Sequence, residues 1–110
     1  MDYATMDRQA LARAYVEQIG YDPFEDDPTI SIETVRETLR ERDRSAALVA
    51  FGAADDAWQA ELEVVFGWWG AGDARYAACG RGEEGSRLRA AYLARDAARV
   101  ALEHVMREGR

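Results

Sequence analysis

The chain has 110 residues and a formal net charge of −7 at pH 7, and this length favours a single domain over residues 1–110. Its one cysteine excludes an internal disulfide framework, and no apolar run is long enough to cross a membrane, so we expect a cytoplasmic protein. The acidic balance makes nucleic acid an unfavourable partner and favours a protein partner with a basic surface.

The first part of the chain predicts two helices joined by an acidic loop. Thr5 fits as the N-cap of a helix ending at Ile19, and Gly20 stands where helices commonly stop. Two prolines interrupt helical geometry within residues 21–28, and Ser31 then fits as the cap of the second helix.

The middle of the chain predicts a longer amphipathic helix. Apolar residues recur there at spacings that place them on one side of a helix: Leu48, Phe51, Trp58, Leu62, Val65 and Trp69. Gly52 and the consecutive pair Asp55 and Asp56 are the expected positions of a break into two helices. A last helix is predicted from near Ser86 to Arg107.

These elements predict a mainly α fold, a small bundle of four or five helices with a glycine-rich loop before the last one. The alternative is an α+β fold in which residues 46–51 and 64–69 form a short hairpin. It stays open at this point because short apolar runs do not distinguish a strand from a helix.

Residues 67–85 contain six glycines and two adjacent tryptophans, Trp68 and Trp69. With Val64, Val65 and Phe66 just before them, this region is more apolar than one helix face requires. Either it forms a tightly packed end of the core, or part of its aromatic surface is exposed. Because tryptophan is enriched at interface hot spots, we predict that Phe66, Trp68 and Trp69 contact a partner or a second copy of the chain.

Charged residues supply the remaining predicted contacts. Arg75, Tyr76 and Arg81 combine guanidinium groups with a ring, a set that recognises carboxylates, phosphates or bases. In the alternative interpretation, Arg75 pairs locally with Asp73 or Glu83 and closes the loop. Two acidic groups could imitate a row of phosphates toward a basic partner: Glu25, Asp26 and Asp27, and Asp55 with Asp56.

The sequence predicts no catalytic residues, no cofactor and no metal ion. Gly80, Gly82 and Gly85 match the spacing G-x-G-x-x-G, but no strand is predicted before them, as a dinucleotide site requires. Cys79 and His104 are each the only residue of their type, and their spacing does not pair them. The acidic loop lacks the spacing of a calcium-binding loop.

We therefore expect a small acidic helical protein-binding module that occupies a basic surface on a macromolecular partner, as an inhibitor would. Phage- and mobile-element-encoded inhibitors, anti-CRISPR proteins among them, are of similar size and acidity, although no motif identifies a family. The alternatives are a nucleic-acid contact protein that uses the arginine-rich residues 74–110, a homodimer and, last, a small enzyme of unknown reaction.

Overall fold

The computed structural model describes residues 2–108, which are mainly helical, with 83% helix and no strand among them. The mainly α prediction is confirmed, and the hairpin alternative is wrong because residues 46–51 and 64–69 belong to a helix, with only Gly67 departing from helical geometry. No helix in this part of the chain is long and apolar enough to span a membrane. The elements are α1 (Arg8–Ile19), α2 (Pro23–Asp26), α3 (Ile32–Arg75) and α4 (Arg87–Glu108), with short 3-10 helices at Tyr3–Thr5 and Ala78–Arg81.

The chain divides into two compact units. The first contains the residues up to Ser45 and those from Val105 on, and the second is Ala46–His104. The division falls within α3 and again within α4. A single domain and a single bundle therefore stay predictions.

Side-chain caps set the helix boundaries of the first unit. The Asp7 carboxylate accepts a hydrogen bond from the Ala10 backbone N–H at 2.8 Å, so Asp7 is the N-cap of α1. The prediction of Thr5 as this cap is wrong, because Thr5 belongs to the separate 3-10 helix. Gly20 ends α1 in the left-handed conformation, with φ of 107°, as its position predicted.

The predicted acidic loop contains the short helix α2, because Pro23 occupies its first position, where the missing N–H removes no helical hydrogen bond. Ser31 caps α3 as predicted, since its Oγ accepts from the Thr34 N–H at 3.0 Å. The core of this unit consists of Tyr3, Leu11, Ala14, Tyr15, Phe24, Val35 and Leu39.

Helix α3 is continuous where the sequence suggested a break and interrupted where it did not. Gly52, Asp55 and Asp56 are helical, whereas Gly67 has φ of 73° and ψ of 168°. That backbone region is essentially restricted to glycine. The interruption ends the predicted apolar stripe, so Trp69 does not share the burial of Trp58.

The core of the second unit joins the two parts of α3 to the start of α4. It consists of Trp58, Leu62, Ala71, Ala74 and Leu88. Helix α4 starts next to Ser86, as predicted, and the Ser86 Oγ caps it by accepting from the Arg89 N–H at 3.0 Å. Gly80 is also required here, because a Cβ at this position would overlap the Ala74 carbonyl group.

Candidate functional site

Two adjacent tryptophans lie on the surface of the second unit, directly after the interruption in α3. Trp68 is 71% exposed and Trp69 is 86% exposed. Their ring centroids are 4.5 Å apart at an interplanar angle of 72°, an edge-to-face contact. The two indoles therefore pack on each other while most of their surface faces solvent.

Local geometry explains why this part of α3 turns its rings outward. Ala71 and Ala74 face the core, and their small side chains let the helix end pack closely against it. Trp69 and Asp73 are four positions apart, so they share the opposite side. Tyr76, just beyond the end of α3, is also highly exposed. We call Trp68, Trp69 and Tyr76 the aromatic surface.

Asp55 and Arg75, both predicted partner contacts, bind each other. The Asp55 Oδ1 accepts from Arg75 at 2.6 Å and from Arg95 at 2.8 Å. Arg75 therefore forms an internal ion pair, but with a carboxylate 20 positions away rather than with Asp73 or Glu83. This cluster joins α3 to itself across its interruption and to α4.

Trp58 forms the apolar side of this cluster and is 3% exposed. The guanidinium carbons of Arg75 and Arg95 lie 4.8 and 5.1 Å from its ring, and its Nε1 donates to the Gly80 carbonyl at 2.8 Å. Burial alone would raise the pKa of Asp55, but the hydrogen bonds from both arginines outweigh it and hold the pKa below its ordinary value of 3.8. These contacts assign the cluster a structural role.

The other predicted contact residues have different surroundings. Phe66 is partly buried against the core of the second unit, while Asp56 is exposed. Arg81 is exposed, with its guanidinium carbon 5.9 Å from the centroid of the Tyr92 ring. The acidic group of the first unit is exposed at α2 and its C-terminal cap: Glu25, Asp26 and Asp27.

Sequence reasoning missed a groove of 850 Å³ in the second unit. One wall is the α3 turn with Val64, Val65 and Phe66, and the other is residues 78–88. Glu61 and Arg87 form an ion pair of 3.1 Å among the lining residues. No signal in the sequence predicts this groove, because its two walls come together only through the fold.

The residues that the structure describes contain no group of three or more histidine, cysteine, aspartate or glutamate side chains placed to hold a metal ion. The chain matches no family model, and comparisons with curated proteins and with solved structures gave no match.

Proposed function

We propose that this chain is a small acidic helical module that binds a protein partner, with the Trp68–Trp69 pair as its anchor. The exposure of two adjacent indoles is the observation that carries this proposal. Large exposed apolar side chains that are grouped together mark interaction sites, and tryptophan is the residue type most enriched among binding hot spots.

The charge around the anchor defines the chemistry of the partner. Residues 45–73 contain five acidic residues and no basic one. Asp55 and Glu61 are paired with arginines from outside this segment, so its exposed negative charge comes from Asp56, Glu63 and Asp73. This combination fits a partner surface with an apolar pocket bordered by arginine or lysine, because cations are attracted both to carboxylates and to indole rings. Occupying such a surface would exclude its other ligands, and an inhibitory role of the phage or mobile-element type is part of the proposal.

The arginine-rich region gives the nucleic-acid alternative less support. Arg75 and Arg95 are held by Asp55, and Arg99 pairs with Asp96 and Glu103 at 2.9 and 2.7 Å. These guanidinium groups would have to leave their carboxylates to reach phosphates. Binding to a basic protein surface requires no such exchange.

Affinity capture with matched variants tests the proposal. The tagged chain, the variant Trp68→Ala/Trp69→Ala and the control Leu48→Ala/Val49→Ala are each exposed to lysate of the source cells. The control removes exposed apolar side chains of the same unit at a distant position in α3. We expect the native chain and the control to retain one basic protein saturably and to release it with salt, and the tryptophan variant to lose it.

Hot-spot truncation costs at least about 2 kcal/mol, or roughly 30-fold in affinity, which is enough to abolish capture at limiting concentration. Equal recovery by all three proteins would contradict the proposal, as would the absence of any saturable, salt-sensitive partner.

A second copy of the chain is the competing occupant of the aromatic surface. Two copies carry −7 each, and this repulsion opposes pairing at low ionic strength. We expect light scattering in low salt to give the molar mass of one chain. A dimer that the variant Trp68→Ala/Trp69→Ala dissociates would instead identify the aromatic surface as a self-association site.

A further inference from the structure

The groove of the second unit is lined by apolar and acidic side chains. Val64, Val65, Phe66 and Leu88 supply the apolar lining, and Glu61 and Glu83 supply two carboxylates. Val64 and Val65 are themselves exposed and lie a few residues before the tryptophan pair.

The two side chains of the ion pair in the groove differ in their exposure to solvent. The Glu61 side chain is 19% exposed, whereas the Arg87 side chain that binds it is 90% exposed. Ion pairs with a solvated, flexible partner contribute little stability, so Arg87 is held only weakly at this carboxylate. Glu61 is thus a largely buried acceptor whose present donor can be exchanged for another cation.

We propose that this groove binds an amphipathic segment of the partner protein, which inserts an apolar side chain and places an arginine or lysine at Glu61 in place of Arg87. Charge complementarity selects this occupant, because the two carboxylates outnumber the single arginine of the lining. An amphipathic helix lays its apolar residues into such a groove, and a basic residue three or four positions from an apolar one lies on the same side of the helix. The inference rests on the proposed function and names the chemistry that its partner presents.

Cys79 provides a reporter within the groove. It is an exposed free thiol and belongs to the groove lining. A segment seated in the groove would cover it and slow its alkylation by iodoacetamide. Since Cys79 is the only cysteine of the chain, the rate reports on one position.

The test uses a synthetic helical peptide of alanine, leucine and arginine, with leucine and arginine on one face, and a second peptide with glutamate in place of arginine. Calorimetry gives the affinity, and the alkylation rate of Cys79 gives the occupancy of the groove. The matched variants are Glu61→Gln and Glu63→Gln, which remove the same charge from the same helix. Glu63 is exposed and does not line the groove.

We expect the arginine peptide to slow alkylation saturably and the glutamate peptide to leave the rate unchanged. Glu61→Gln should weaken binding about tenfold through loss of a charge-assisted hydrogen bond, and Glu63→Gln should weaken it less than about twofold. Arg87→Gln should tighten binding by removing the competing cation. In the double variant Glu61→Gln/Arg87→Gln, the tighter binding gained from Arg87→Gln should disappear, because it depends on the Glu61 carboxylate. A general electrostatic attraction would leave that gain in place.

Equal losses in the two glutamine variants would overturn the proposal, as would unhindered alkylation at saturating peptide. The affinity of Trp68→Ala/Trp69→Ala separates this failure from failure of the proposed function. Peptide binding that requires the tryptophans but leaves Cys79 reactive would place docking on the aromatic surface alone. The absence of saturable peptide binding would overturn the groove proposal and leave the capture experiment to decide the proposed function.

Discussion

The second unit holds its tryptophans in two opposite environments. Trp58 is buried, bonded to a backbone carbonyl and flanked by two guanidinium groups, whereas Trp68 and Trp69 contact each other on the surface. Tryptophan thus belongs to the core at position 58 and lies outside it at positions 68 and 69. Because exposed indoles contribute little to folding, this comparison supports the proposed role of the second pair in binding a partner.

Replacing the tryptophans of each environment with alanine should separate the core role from the surface role most clearly. We expect Trp58→Ala to lower the free energy of unfolding by about 3–5 kcal/mol, because it leaves a cavity and removes the partner of the Gly80 carbonyl. Trp68→Ala/Trp69→Ala should lower it by less than about 1 kcal/mol. Denaturant unfolding followed by circular dichroism measures both, and similar losses would dissolve the distinction between core and surface tryptophans.

Asp55 and Asp56 offer a smaller contrast between a structural and a solvated carboxylate. Asp55→Ala leaves Arg75 and Arg95 without their shared acceptor, so we expect a loss of about 1–3 kcal/mol in the free energy of unfolding. Asp56→Ala, at an exposed position, should change it by less than about 0.5 kcal/mol. Unfolding of both variants under one set of conditions makes the comparison, and equal effects would refute the structural role of the arginine cluster.

The same carboxylate gives a pH dependence of defined sign. Because the folded-state pKa of Asp55 lies below 3.8, its stabilisation is complete above that value and is lost as the pH falls through the folded-state pKa. We expect the unfolding free energy of the native chain to fall more steeply in this acidic range than that of Asp55→Asn. An equal fall of the unfolding free energy with decreasing pH in the two proteins would contradict the structural role assigned to the Asp55 carboxylate.

Two glycines of α3 should respond to alanine in opposite directions. Gly67→Ala forces a side chain into a positive-φ conformation, at an expected cost of about 1–2 kcal/mol. Gly52 is helical and has open space at its Cβ position, so Gly52→Ala should stabilise the chain by about 0.5–1 kcal/mol. Thermal unfolding compares the two variants, and stabilisation by both would mean that α3 is not interrupted at Gly67.

Local signals in the sequence predicted several boundaries correctly. Gly20, Ser31 and Ser86 act through hydrogen bonds or backbone conformation within a few residues, so the neighbouring sequence is sufficient to identify them. The spacing that aligned Trp58 with Trp69 failed because it assumed one continuous helix. Nothing in the sequence around Gly67 distinguishes its backbone from that of Gly52.

Contacts between residues that are far apart in the sequence could not be predicted from such local signals. The Asp55 carboxylate binds arginines 20 and 40 positions away, and these pairings depend on how α3 returns on itself and meets α4. The groove is a second case, since Glu61 meets Arg87 only when two separate segments pack together. The composition of residues 64–69 did raise the alternative of exposed aromatic surface, and the exposure of Trp68 and Trp69 corresponds to it.

The most direct measurement is the fluorescence emission that belongs to the tryptophan pair. Subtracting the spectrum of Trp68→Phe/Trp69→Phe, which retains only Trp58, isolates this emission. For the free protein we predict the long-wavelength emission of indole in water and efficient quenching by acrylamide, with a blue shift and protection once the captured partner is added. Blue-shifted emission that resists quenching in the free single chain would contradict the exposed anchor on which the proposed function depends.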